Sequence, residues 1–260
     1  MSRLYLPPVL SLRFIPVWRR NFLVWRKLAI ASVIGNIAEP MITLIAFGYG
    51  LGSLLQHIDG IPYIEFLASG SIAMSVMMAA SFEALYSAFS RMHAQKTWES
   101  LLNAPLALDD VVLAEMLWAA SKALISGLAI LLVLFTLGIG LHPTTLLVPP
   151  VLFLIGMTFA SIALIMNAIA RGYDFFTYYF TLVLTPMIFL SGVYYPARQL
   201  PGWLQVATDI LPLGVAVQLV RPLILGRLPD GAGGYVLALV AYCAAGFYIA
   251  TVLTRRRLLR

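Results

Sequence analysis

Apolar residues in this chain come in long unbroken runs, not in the alternations of a half-buried strand or a one-sided helix. Six runs reach the roughly 20 residues that a helix needs to cross a hydrocarbon core. They cover 28–51, 63–89, 111–140, 145–170, 177–195 and 234–254. The expected fold class is therefore an all-α integral membrane protein with six transmembrane helices. The third run is too long for a plain crossing, at about 45 Å against a core of about 30 Å. Its first turns are expected to protrude, with Asp109 as N-cap.

Two regions break this pattern. In residues 1–27, Arg3, Arg13, Arg19, Arg20, Arg26 and Lys27 are scattered among apolar residues, which does not read as a cleavable signal peptide. At 100° per residue Phe14, Trp18, Phe22 and Trp25 share one face, with Arg13, Arg20 and Lys27 opposite. That predicts an N-terminal interfacial amphipathic helix starting near Pro16, aromatics toward the membrane and cations toward headgroups. In residues 196–233, short apolar stretches at 203–210 and 213–225 flank Pro212. Stretches of that length predict a re-entrant helical hairpin between the fifth and sixth crossings. An amphipathic cap on the outer surface is the alternative.

Composition agrees. Of 260 residues, 61% are hydrophobic and only 11% charged, too few charges to cover a soluble globule. The net charge of +6 is explained by where the cations fall. The N-terminal stretch holds six, Arg91 and Lys96 follow the second run, Arg171 the fourth, and Arg255, Arg256, Arg257 and Arg260 the last. The connections after the first and third runs hold none, while Arg198, Arg221 and Arg227 after the fifth are partly offset by Asp209 and Asp230. By the positive-inside rule both termini are cytoplasmic, and the charge needs no nucleic-acid partner. The single cysteine, Cys243, excludes an intrachain disulfide and a CxxC site. The organisation expected is an interfacial helix at 1–27 and a transmembrane domain at 28–260. Within that domain 91–105 is a cytoplasmic connection and 196–233 is external.

No P-loop, HExxH or G-x-S-x-G is present, and His57, His93 and His142 lie in separate connections. Gly48, Gly50 and Gly52 sit inside an apolar run and read as helix packing. No enzyme, metal site or bound cofactor is expected. Ionisable residues within apolar runs are the remaining candidates. Glu39 precedes Pro40, which should kink or unwind the first helix; it either serves a substrate path or caps freed backbone. Lys122 shares a helix face with Glu115 and Trp118. It either faces a cavity and draws an anionic headgroup, or else snorkels or pairs with Glu83. These three, Glu39, Glu83 and Lys122, are the candidate substrate path. The connection RMHAQKTWESLLNAP offers about three helical turns over 93–102, with Trp98, Leu101 and Leu102 as an exposed apolar edge for a soluble partner. A solvated turn is the alternative. The aromatics Tyr173, Phe175, Phe176, Tyr178, Tyr179 and Phe180 form either an interfacial belt or a lateral route for lipid.

Three segments carry a family resemblance: FLSGVYYPARQLPGWLQVATDILPLGVAVQLVRPLILG at 189–226, EMLWAASKA at 115–123, and RMHAQKTWESLLNAPL at 91–106. The chain resembles the permease subunit of ABC-2 type exporters, most closely the nodulation protein J group associated with lipo-oligosaccharide export. It departs at Ser69, where a proline is expected, and at Gly214 and Val215, where a Thr-His pair is expected. The resemblance implies a homodimer in the bacterial cytoplasmic (inner) membrane, joined to two copies of an ABC ATPase subunit that binds ATP and Mg. It implies that His93, Lys96, Thr97, Trp98, Glu99, Leu101 and Leu102 form the ATPase-coupling surface. Export of a hydrophobic drug, a proton-coupled secondary carrier and a membrane scaffold are the other functions weighed.

Overall fold

The structure, a computed structural model, describes residues 5–55, 57–58 and 60–258, the side chain of Glu39 excepted. Arg3 and Arg260 lie outside the described residues. Helix α1, Phe14–Trp25, passes through a 3-10 turn, Arg26–Leu28, into α2, Ala29–Gly50. A small hairpin pairs His57–Ile58 with Ile61–Pro62. Then come α3, Tyr63–Ala94, the short α4, Thr97–Leu102, and α5, Leu108–Thr136. They are followed by α6, Val148–Ile169, α7, Asp174–Leu190, α8, Gly202–Ile210, α9, Pro212–Ile224, and α10, Ala232–Leu258.

The protein is an all-α membrane protein. Among the described residues five helices are long and apolar enough to cross a bilayer, and six if the α8–α9 pair is one broken span. The fifth run of the sequence yields the shorter α7, which covers about 25 Å of a core of about 30 Å. It stops where Gly192 takes φ +70°, a conformation only glycine enters freely. Around Pro212 the chain turns by 81° between α8 and α9, the break that proline predicted. Pro40 does not unwind α2, which stays helical from Ala29 to Gly50.

The core is built by α3, α5 and α6, with α10 against α6 and α9 against α3. Small residues on α3, among them Ala68, Gly70, Ser71, Ala73, Ser75 and Ala80, are buried and let the backbones approach closely. The α5 and α6 backbones approach closely at Gly156, where an added Cβ would stand 3.0 Å from Ala120 Cα.

Two local expectations are corrected. The N-cap of α5 is Ala107, not Asp109. Asp110 serves the helix start by accepting the Ala107 N–H at 3.3 Å, and Asp109 is drawn to another partner, described below. The aromatic face of α1 also does not turn to lipid. Trp18, Phe22 and Trp25 all meet Trp118 of α5, with ring centroids 6.3, 6.3 and 5.8 Å away, because edge-to-face contact with another ring is available there.

Candidate functional site

One helix face organises the site. Glu115, Trp118 and Lys122 follow each other at i, i+3 and i+7 along α5 and so line one stripe. Opposite them α3 departs from α geometry, with π turns at Glu83–Ser87 and Ser90–Ala94. A π turn adds a residue to the helical turn and re-aims its side chains. Here it brings Glu83 and Arg91 to the α5 stripe.

The result is a chain of paired charges in the protein interior. Glu83 is 3% exposed and Glu115 1%, so each carboxylate needs full compensation. Arg91 Nε donates to Glu115 Oε1 at 3.0 Å, and its Nη2 to Glu83 Oε1 at 3.0 Å. Lys122 Nζ stands 2.8 Å from Glu83 Oε2, and Trp118 Nε1 donates to Glu83 Oε1 at 2.8 Å. Two carboxylates meet two cations. Lys122 pairs with Glu83 rather than snorkelling, on the wall of a cavity also lined by Arg20, Asn21 and Trp25. The side chain of Glu39 lies outside the described residues.

The 91–105 connection is joined to this network. Lys96 takes φ +50°, which ends the π turn and starts a separate helix. The expected helix over 93–102 is therefore confined to α4, Thr97–Leu102, and His93 belongs to the end of α3. Trp98, expected at an exposed edge, is 2% exposed. Its Nε1 donates to Glu115 Oε1 at 3.2 Å, because a buried indole N–H seeks an acceptor and Glu115 has one to spare. Leu101 and Leu102 are half-buried, while His93, Lys96, Glu99 and Ser100 stay exposed. Lys96 and Glu99 form a surface pair at 3.9 Å. Thr97 Oγ1 accepts from Arg20 Nη2 at 3.4 Å, tying α1 to α4.

A second buried pair closes the same end of the molecule. Arg255 of α10 holds Asp109 with Nε on Oδ1 at 2.8 Å and with Nη2 on Oδ2. Asp109 Oδ2 also accepts the Val9 N–H at 2.9 Å, and Arg255 Nη1 donates to Leu6 O at 2.6 Å. Arg257 donates to the carbonyls of Asn167 and Ala168 at the end of α6, and touches His93. Residues 5–13, the 91–105 connection, Arg255 and Arg257 thus share one end. Sequence reasoning missed Asp109 and Arg255; an Asp-Asp start to α5 and an Arg triplet ending α10 were the available signals.

The aromatics of α7 divide. Phe176 and Tyr179 are buried, with Tyr173 stacked on Tyr86 at 6.1 Å and Phe176 edge-on to Phe89 at 5.1 Å. Tyr173, Phe175 and Tyr178 remain exposed.

The pattern of the ABC-2 type transporter family matches residues 13–225. Nodulation protein J of Sinorhizobium fredii is 47% identical over 246 residues, 95% of this chain and 94% of that protein. Nodulation protein J of Rhizobium meliloti is 44% identical over the full length of both. Inner membrane transport permease YadH of Escherichia coli is 24% identical over 198 residues, 76% of this chain and 77% of that protein. A family pattern over most of the chain, apolar spanning helices and a site of paired charges lead to one conclusion: this chain belongs to the ABC-2 type transporter family, as a multi-pass permease of the bacterial inner membrane and not an enzyme.

Proposed function

We propose that this chain is half of the membrane pore of an ATP-driven exporter for a lipo-oligosaccharide or a related glycolipid. Two copies pair in the membrane, and each carries one ABC ATPase subunit on its cytoplasmic side; ATP and Mg bind there. Both termini and the 91–105 connection face the cytoplasm, and 196–233 faces outward. The exposed surface of His93, Lys96 and Glu99, backed by Thr97, Trp98, Leu101 and Leu102, receives the ATPase. The cavity beside Glu83 and Lys122, with Glu39 on α2, belongs to the path of the polar head.

The observation that carries this reading is the Trp98–Glu115 hydrogen bond. It anchors α4 to a charge chain linking α3 and α5. Leaving a buried charge without its partner costs about 3–5 kcal/mol. A push on α4 therefore moves α3 and α5 as one body, since local bending would break that chain. The ATPase cycle would reach the membrane in this way. A proton-coupled carrier needs an acid free to load and unload, whereas Glu83 and Glu115 are saturated by Arg91, Lys122, Trp98 and Trp118.

The test is purification of the tagged chain from its native membranes in mild detergent. A stoichiometric soluble subunit with a P-loop and vanadate-sensitive ATP hydrolysis is the expected result. A folded, monodisperse chain with neither would sink the ATPase partnership.

A further inference from the structure

At the end of α3 remote from the charge network lies a cleft of about 440 Å³ between α8, α9 and the 191–198 turn. Phe66 on its wall and Arg91 in the network are some 37 Å apart along the helix. Among the described residues the cleft is lined by Arg198, Arg221 and Arg227, by one acid, Asp209, and by Ser191, Gln205 and Gln218.

Arg221 is the unusual residue. Its guanidinium lies on the ring of Phe66, 3.7 Å from the centroid. Nε donates to Ser69 Oγ at 3.2 Å, and Nη2 to the Gly192 carbonyl at 2.8 Å. Gly70 makes the approach possible, since a Cβ there would stand 2.8 Å from Arg221 Nη2. The acceptors are neutral, and among the described residues no carboxylate lies within ion-pair distance of it. The buried pairs at the other end each balance a cation with an anion; this cation is balanced by carbonyl dipoles and a ring. Its Nη1 has no hydrogen-bond acceptor among the described residues. Ser191 points the same way. It is 1% exposed, and its Oγ has no hydrogen-bond partner among the described residues, an omission that ordinarily costs about 1–3 kcal/mol. The other polar groups are occupied: Gln205 donates to the carbonyls of Arg198 and Leu200, and Gln218 bridges Asp209 and Tyr235.

A cleft with an uncompensated guanidinium, an unpaired hydroxyl and a second, exposed arginine is short of one thing, negative charge. We propose that it binds an oxyanion, a phosphate, sulfate or carboxylate carried by an amphiphile or a saccharide, held by Arg221 Nη1, Ser191 Oγ and Arg227. Arginine suits that group because its planar fork matches two oxygens at once. That the cleft opens outward rests on the topology proposed above; the chemistry does not.

The test uses the full chain in neutral detergent, followed by thermal unfolding in sodium sulfate against sodium chloride of equal ionic strength. Sulfate is expected to raise the midpoint saturably where chloride does not. Arg227→Gln, an exposed change safe for folding, should weaken the apparent sulfate affinity at least threefold, and Arg221→Gln at least tenfold. Should Arg221→Gln fail to fold, Arg227→Gln and Ser191→Ala decide. A sulfate response equal to that of chloride, or one that Arg227→Gln leaves unchanged, overturns the proposal. Nanodiscs separate the two sources. If the ligand is a lipid headgroup, discs containing phosphatidylglycerol abolish the sulfate response that neutral phosphatidylcholine discs keep; if it is carried by a saccharide, both keep it. No ATPase or transport is involved, so failure here leaves the exporter reading untouched, and the reverse also holds.

Discussion

Trp98 Nε1 donates to Glu115 Oε1 at 3.2 Å, across the joint between α4 and α5. A residue in a short polar connection is thereby fixed to a carboxylate in the interior.

Trp98→Phe keeps an aromatic ring, though a smaller one, and removes the N–H. Glu115 then loses one donor but keeps Arg91, and the stability cost should be about 1–3 kcal/mol. The larger effect is expected on coupling: the variant assembles with its ATPase yet moves at least threefold less substrate per ATP. Reconstituted vesicles measure both quantities together. An unchanged ratio of transport to hydrolysis would remove Trp98 from the coupling path.

Glu99 is exposed and, among the described residues, its one ion pair is with Lys96, at 3.9 Å. Such surface pairs contribute about 0–1 kcal/mol, so Glu99→Lys should leave the unfolding temperature of the isolated chain almost unmoved. If α4 docks on the ATPase, the same change lowers the amount of co-purified ATPase several-fold. Full recovery of the ATPase subunit would refute that assignment.

Glu83 and Lys122 differ in how many groups depend on them. Glu83 serves Lys122, Arg91 and Trp118, while among the described residues the Lys122 ammonium pairs with Glu83 alone. Glu83→Gln should cost about 3–5 kcal/mol and Lys122→Met less, because Glu83 keeps Arg91. The double variant should lose less than the sum of the two, by the amount these neighbours are coupled. Thermal unfolding ranks the three. If both single variants fold and export as well as the parent, the substrate path does not pass this pair.

Much of this fold is legible in the sequence, because a bilayer demands long apolar runs and Pro212 cannot continue a helix through α8 and α9. The site is less so. Glu115, Trp118 and Lys122 share a face by spacing alone, but no spacing tells which residue of α3 will meet them when two π turns shift its register. Trp98 sits among Lys96, Glu99 and Ser100 and reads as exposed. Only the packing of α4 on α5 buries it. Asp109 reads as a helix cap for the same reason: its partner, Arg255, lies at the far end of the chain.

Two glycines separate close packing from helix propensity. At Gly156 of α6 an added Cβ would meet Ala120 Cα at 3.0 Å and its carbonyl oxygen at 3.2 Å, both backbone atoms that cannot swing away. At Gly35 of α2 nothing among the described residues lies within 4 Å. Gly156→Ala should therefore lower the unfolding temperature by overpacking, at about 1–3 kcal/mol. Gly35→Ala should raise it slightly, since alanine favours a helix interior by about 0.5–1 kcal/mol. Equal shifts in the two variants would contradict the close α5–α6 crossing.

The Arg255–Asp109 pair does more than join two helices. Asp109 also accepts the Val9 N–H, and Arg255 also donates to the Leu6 carbonyl, so one pair holds the chain ahead of α1 against the start of α5. Arg255→Leu strands Asp109 at 5% exposure and removes the Leu6 contact, leaving the Val9 N–H on a carboxylate that has lost its cation. The local opening energy of residues 5–13 should fall by a few kcal/mol. Arg13 is exposed, and trypsin cleavage after it, identified by N-terminal sequencing, should accelerate at least tenfold. Arg255→Lys keeps the charge but not the fork that engages both oxygens of Asp109, and should fall between the two. Cleavage of Arg255→Leu at the parent rate would mean that α1 and its leading segment are held by the Trp118 aromatic contacts instead.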